Sequence, residues 1–264
     1  MHYLSALNPA YAASGFIVGV LMGATGVGGG SLMTPLLILL FGIHPTTAVG
    51  TDLLYSGITK LNGAVVHGFN RTVDWRVTGN LALGSVPAAI VTLLFTAWLR
   101  KHGTSSNHVV TFVLGLALIA TAIMMLARKW LFDRVAASSK HMSDRQRFWL
   151  TVVLGVVLGA LTSFSSVGAG AIGVTFLILL YADMPIAKIV GSDIAHAVPL
   201  TLISGAGHWI LGSVDWHLLV ALLIGSLPGI TIGSQIAGRI SDRHLRKIIA
   251  VALGAVGIRL TFWA

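Results

Sequence analysis

Cysteine is absent from this sequence, and charge is scarce. Its 264 residues include 17 Lys and Arg and 8 Asp and Glu, so 9% are charged, where a soluble domain carries about 25%. The missing cysteines exclude disulfides, thiolate metal sites and a cysteine nucleophile. The shortage of charge excludes a water-soluble globule, because too little polar surface exists to cover one. Disorder is excluded as well, since 55% of the residues are hydrophobic and disordered chains are poor in such residues. The ten histidines are scattered, with no His-x-x-x-His or His-Glu-x-x-His spacing, and no Ser lies in a Gly-x-Ser-x-Gly elbow. No metal, cofactor or catalytic constellation is therefore expected, and the chain does not read as an enzyme.

What is present is apolar sequence in long runs. A membrane-spanning helix needs about 20 mostly apolar residues at ~1.5 Å each. Ten segments suit that pattern: 4–24, 31–42, 45–67, 75–99, 107–127, 148–164, 170–182, 185–211, 216–238 and 245–263. The second and seventh are short, which is the length of re-entrant or partial spans. The runs are continuous rather than alternating, so an all-α polytopic membrane protein is expected and a β-barrel is not. Met1 to Ala13 lacks Lys and Arg, and so lacks the charged region of a secretory signal.

The two halves repeat one another. At an offset of 140, Gly15, Gly19, Val27, Gly28 and Gly30 fall on Gly155, Gly159, Val167, Gly168 and Gly170. Pro45 falls on Pro185, after which the offset becomes 141. Val49-Gly50-Thr51-Asp52 then matches Val190-Gly191-Ser192-Asp193, His67 matches His208, and Val73-Asp74-Trp75 matches Val214-Asp215-Trp216. Gly84-Ser85-x-Pro87 matches Gly225-Ser226-x-Pro228. Apolar composition alone does not supply the Asp, His, Trp and Pro matches in one register. The reading divides the chain into a first repeat over 1–132, a basic linker over 133–147 and a second repeat over 148–264.

Each half holds five apolar segments. Whether five cross, or three with the first two forming a re-entrant hairpin, the number is odd, so the second half is expected upside down in the bilayer. This is the inverted-repeat plan of many secondary transporters. Loops 68–76, 128–147 and 239–247 carry Arg71, Arg76, Arg128, Lys129, Arg134, Lys140, Arg145, Arg147, Arg239, Arg243, Arg246 and Lys247. The opposite loops carry only Arg100 and Lys101. The positive-inside rule then sets the basic side in the cytoplasm and both termini outside. The net charge of +9 is thereby an orientation signal, and no nucleic-acid partner is expected.

Two features carry candidate chemistry. The first is the break Gly26-Val27-Gly28-Gly29-Gly30-Ser31 with its partner Ser165-Ser166-Val167-Gly168-Ala169-Gly170. Irregular backbone in a membrane must be enclosed by protein or line a cavity. The N–H groups opening the next helix suit an anion, and Ser31, Ser165 and Ser166 add hydroxyls. Close helix packing is the competing reading, as for Gly15-x-x-x-Gly19. The second is Thr51-Asp52 with Ser192-Asp193, each Asp about 10–12 Å inside its helix. Intramembrane carboxylates mark ion and proton pathways, and the alternative is a structural carboxylate capping a helix break. Lys60, whose counterpart is Thr201, is either an anion contact or a snorkelling side chain. His196, whose counterpart is Tyr55, is either a proton carrier or a neutral hydrogen-bonded histidine. His67 and His208 near helix ends suggest interfacial roles, Trp75 and Trp216 an aromatic belt, Asp74 and Asp215 helix N-caps, and Pro87 and Pro228 kinks.

The run Gly26-Val27-Gly28-Gly29-Gly30-Ser31-Leu32-Met33-Thr34-Pro35, followed by Pro45 and by Ala48-Val49-Gly50-Thr51-Asp52, resembles the TauE/SafE-type sulfite exporters, also called the toluene sulfonate uptake permease family. The second-half run Val167-Gly168-Ala169-Gly170, Pro185 and Val190-Gly191-Ser192-Asp193 is similar to the same signature repeated. The resemblance implies a bacterial inner-membrane protein that moves a small sulfur-containing anion (sulfite, a sulfonate or sulfoacetate), coupled to protons or another cation. An anion channel, or a transporter of a non-sulfur organic anion, is the alternative. The resemblance carries over to Gly28, Gly29, Gly30, Thr51, Asp52, Gly168, Gly170, Ser192 and Asp193. Ser165-Ser166 replaces Thr25-Gly26 of the first half, which makes the two half-sites chemically unequal. The expected substrate contacts are Gly26, Gly28, Gly29, Gly30, Ser31, Thr51, Lys60, Ser165, Ser166, Gly168, Gly170 and Ser192. Asp52, Asp193 and His196 are the expected proton-coupling set, and the expected partners are the anion and the lipid bilayer.

Overall fold

A computed structural model describes residues 9–25, 30–102, 106–139, 142–168, 170–236 and 242–262. Those residues form ten α-helices and no strand: α1 (Pro9–Thr25), α2 (Gly30–Phe41), α3 (Pro45–Phe69), α4 (Trp75–Lys101), α5 (Ser106–Ser139), α6 (Asp144–Ser165), α7 (Ala171–Leu180), α8 (Ile186–Ile210), α9 (Trp216–Ile236) and α10 (Asp242–Phe262). Each corresponds to one apolar segment of the sequence. The fifth segment differs most, because its helix continues past 127 to Ser139.

Local chemistry sets the helix ends. Asp74 caps α4, its side chain accepting from the N–H groups of Arg76 and Val77. Ser143 and Gln146 form a reciprocal capping box at the start of α6. Pro45 opens α3 and Pro185 caps α8, positions where a missing N–H costs nothing. α4 and α9 run through Pro87 and Pro228 as single helices.

Five helices contain stretches long and apolar enough to cross a bilayer, within α4, α5, α6, α8 and α9. α2 and α7 have 12 and 10 residues, about 18 and 15 Å at 1.5 Å per residue, well short of a ~30 Å hydrocarbon core. Large apolar side chains cover the exterior, among them Val91, Leu94, Phe95 and Trp98 of α4 and Ile248 and Val251 of α10. Trp75 and Trp216 are exposed at helix starts, as an aromatic belt requires. The molecule is a multi-pass membrane protein.

The halves interlock. α1 packs along α9, with Gly15 against the Leu222 carbonyl and Gly19 against Ser226. α6 packs along α4, with Gly155 against the Leu81 carbonyl and Gly159 against Ser85. Those contacts are the same pair with the halves exchanged. In both, ascending numbers meet ascending numbers, so the helices run parallel. The repeat-equivalent helices α3 and α8 run antiparallel instead: Leu54 lies against Gly205, Gly57 against Leu202, and Gly63 against Ile194. α5 and α10, also equivalent, cross antiparallel at Gly115 and Gly257. A side chain larger than hydrogen at Gly15, Gly19, Gly155 or Gly159 would meet backbone, which is the close approach that small residues allow in membrane bundles.

Hydrogen bonds repeat the exchange. The Asp74 N–H donates to Ser192 Oγ at 2.8 Å, and the Asp215 N–H donates to Thr51 Oγ1 at 3.0 Å. Arg71 and Gly212, at equivalent turns, both adopt positive φ, of 53° and 69°.

Candidate functional site

The antiparallel pair α3 and α8 forms the middle of the molecule, and each carries its Asp as the eighth residue, Asp52 and Asp193. That is about 12 Å from each helix start at 1.5 Å per residue. Both carboxylates are enclosed, at 0% and 1% exposure. Their surroundings differ. Asp52 Oδ2 accepts from Thr34 Oγ1 at 2.5 Å, and Asp52 Oδ1 accepts from Ser56 Oγ at 3.2 Å. At the repeat positions of Thr34 and Ser56 stand Val174 and Ala197, which donate nothing. Asp193 Oδ1 is accordingly buried with no hydrogen-bond partner among the described residues.

Asp193 has two other neighbours. Its Oδ1 lies against Gly173, the third residue of α7, in a gap that any side chain there would fill. Met33 occupies the equivalent place in the first half. The second neighbour is Lys60, which reaches in from α3. It is 9% exposed, so it does not snorkel outward. It interacts electrostatically with Asp193 most strongly, then with Asp52, and its charge is also felt at His196. An ammonium in such a place needs a countercharge, because burial penalises the charged form.

His196 sits on α8 and is fully enclosed. Its Nε2 pairs with Ser85 Oγ at 2.7 Å, while Nδ1 has no partner among the described residues. At the first-half counterpart the Tyr55 hydroxyl faces Met22 Sδ at 3.8 Å, and Ser226 Oγ has no hydrogen-bond partner among the described residues.

The second glycine break is built by left-handed backbone. Ser166 ends α6 at φ 58°, its N–H donating to the Thr162 carbonyl at 2.7 Å. Gly168 and Gly170 follow at φ 132° and 119°, conformations that favour glycine. Gly170 caps α7 without a side-chain hydrogen bond. Ser165 Oγ is occupied locally, donating to the Leu161 carbonyl at 2.6 Å and accepting from the Val167 N–H. Ser166 Oγ lies beside Asp52 without a hydrogen bond, and Thr162 Oγ1, close to Gly168, is also unpartnered among the described residues.

Of the residues singled out from sequence, Asp52, Lys60, Ser166, Asp193 and His196 come together. Thr51 and Ser192 face elsewhere, each accepting a backbone N–H at the start of a helix from the other half. Gly30 and Ser31 open α2, while Gly26, Gly28 and Gly29 lie outside the described residues. His208 corrects the expectation of an interfacial role: it is enclosed by protein, with Nε2 at 2.9 Å from the Ser163 carbonyl. Thr34, Ser56, Ser85 and Gly173 belong to the cluster and were not singled out. Ser56 had a legible signal, since it stands one helical turn from Asp52.

At the edge of the bundle, Asp74 pairs with Lys188 at 3.2 Å. Burial pushes its carboxyl up, but Lys188 and the N–H groups of Val77 and Arg76 outweigh burial and hold it below the usual carboxylate range.

The cluster offers one cation, two carboxylates, an imidazole and free hydroxyls, all away from water, with no group of His, Cys, Asp and Glu able to hold a metal among the described residues. Known proteins place the chain in context. The probable membrane transporter protein YjnA of Bacillus subtilis is 39% identical over 252 residues, covering 93% of this chain and 96% of that protein. The probable membrane transporter protein YdhB of the same organism is 28% identical, covering 94% and 97%, and MJ0441 of Methanocaldococcus jannaschii, also called a probable membrane transporter protein, is 28% identical, covering 92% and 91%. No solved structure matches. The family model of the sulfite exporter TauE/SafE matches residues 11–260, so this chain belongs to the TauE/SafE family and is a membrane transporter.

Proposed function

We propose that this protein is a secondary transporter of a small sulfur-containing oxyanion (sulfite or a sulfonate), coupled to protons, in the inner membrane of a bacterium. The observation that carries the reading is the burial of Lys60 together with Asp52, Asp193 and His196 on the packed helices α3 and α8. A cation with no outlet to water is a receptor for an anion, and paired carboxylates beside it are groups that take and release protons. Ser166, Thr162 and the opening turn of α7 with Gly168 and Gly170 supply further donors. Asp52, Asp193 and His196 are the coupling set. Thr51, Ser165 and Ser192 position the helices around it.

The two halves form an inverted repeat, with the basic loops in the cytoplasm and both termini in the periplasm. The antiparallel packing of α3 on α8 and of α5 on α10 supports that orientation, because equivalent helices then cross in opposite directions. Alternating access follows if one half rocks against the other.

Reconstituted vesicles test the reading. We expect saturable uptake or release of sulfite or a sulfonate that responds to a pH gradient and competes with related oxyanions. Wild-type flux of no such anion, or flux whose pH dependence is unchanged by Asp52→Asn with Asp193→Asn, contradicts it.

A further inference from the structure

We propose that Asp193 is an internal stand-in for the transported anion: its carboxylate occupies the anion's place between Lys60 and the first turn of α7, and an arriving anion displaces it as it takes up a proton. The inference rests on the anion-transport reading above and narrows it, assigning the exchange to one of the two repeated carboxylates.

Three observations separate Asp193 from Asp52. Asp52 is anchored by the Thr34 and Ser56 hydroxyls, whereas Asp193 has Val174 and Ala197 at those repeat positions and a buried, unpartnered Oδ1. Asp193 is the stronger electrostatic partner of Lys60. Gly173, where the first half has Met33, lets the Asp193 carboxylate lie against the opening turn of α7, the end of a helix that favours negative charge. The carboxylate thus lies against the first turn of a helix and within the electrostatic reach of a buried cation, with Oδ1 fastened by no hydroxyl among the described residues.

The charge balance is closed. Before exchange, Lys60 is neutralised by ionised Asp193. A proton enters from water on the open side and attaches to the Asp193 carboxylate, and one singly charged anion takes its place at Lys60. The cluster gains no net charge. Among the described residues, the titratable groups around Asp193 are Lys60 and, beyond it, Asp52 from α3, His67 of α3 against Gly191, and His196 and Lys188 from its own helix, Lys188 being paired with Asp74. α7 carries no titratable residue. Those of α4 and α6 (Asp74, Arg76, Arg100, Lys101, Asp144, Arg145 and Arg147) stand at the helix ends. His196 stands three residues along α8 from Asp193, with Nε2 anchored on Ser85 and Nδ1 unpartnered among the described residues, and in this scheme it receives the displaced carboxyl.

The test is proton uptake on binding. Purified protein in weakly buffered detergent is given methanesulfonate, ethanesulfonate or acetate, with a pH-sensitive dye recording protons and thermal shift recording binding. We expect wild type to take up about one proton per bound anion, and Asp193→Asn to bind the anion with no uptake. Binding without uptake in wild type, or uptake that survives in Asp193→Asn, overturns the inference and leaves the transport reading standing. A wild type that binds none of the three overturns both. Lys60→Met supplies a second variant. Without its cation Asp193 holds a proton, so infrared difference spectra show a protonated-carboxyl C=O band that persists with Asp52→Asn added and vanishes with Asp193→Asn added. Absence of that band also overturns the inference.

Discussion

Thr34 Oγ1 donates to Asp52 Oδ2 at 2.5 Å, tying the short helix α2 to the middle of α3. A hydrogen bond to a charged partner contributes about 1.5–3 kcal/mol. Thr34→Val therefore lowers the melting temperature of the purified protein, and Thr34→Ser restores it. Equal melting of wild type and Thr34→Val would show that the bond holds nothing together.

The exchanged pair Asp215 N–H to Thr51 Oγ1 and Asp74 N–H to Ser192 Oγ yields a comparative prediction. Removing either hydroxyl strands a half-buried N–H at a helix start, at a cost of about 1–3 kcal/mol. Thr51→Ala and Ser192→Ala are expected to destabilise to a similar degree in thermal unfolding, with the apparent KM for the anion unchanged. A raised KM with stability unaffected would return these residues to the substrate site.

Asp74 yields a pH dependence. Its carboxyl is held below the usual range by Lys188 and two backbone N–H groups, so its contribution is complete above the unfolded carboxylate value of about 3.9. The contribution fades as pH falls through the lower folded value. Asp74→Ala is expected to lose about 1 kcal/mol through its cap at neutral pH, and the gap from wild type should close in acid. A gap that persists unchanged at low pH would remove the ionised carboxyl from the explanation.

Gly225 and Gly84 are repeat partners that press on the carbonyls of Ala12 and Val152. Gly225→Val and Gly84→Val force apart α1 from α9 and α4 from α6, and each should abolish a monodisperse folded protein in size-exclusion chromatography. Normal elution of either variant would mean that these helices do not pack as closely as described.

Much of this was legible in the sequence. Runs of apolar residues fixed all ten helices, and Asp52 and Asp193 stood out because a charge inside such a run is costly. The boundaries failed where apolarity stopped informing: α5 continues to Ser139 through polar residues that still favour helix. The site was half legible. Lys60, Ser166 and His196 are polar residues in apolar surroundings and announce themselves. Thr34, Ser85 and Gly173 do not, because what matters is which helix each faces: Thr34 meets Asp52 and Gly173 meets Asp193 from another helix of the same half, and Ser85 meets His196 across the halves. The same blindness made Thr51 and Ser192 look like ligands, when their partners are the distant N–H groups of Asp215 and Asp74.

The opposed orientation of the halves underlies the whole account, and single cysteines test it directly because the chain has none of its own. Arg71 and Gly212 lie on equivalent exposed turns. Arg71→Cys and Gly212→Cys, probed in cells with a membrane-impermeant maleimide, should label from opposite sides: Gly212→Cys from outside in intact cells, Arg71→Cys only after the membrane is opened. Labelling of both from one side would contradict the account.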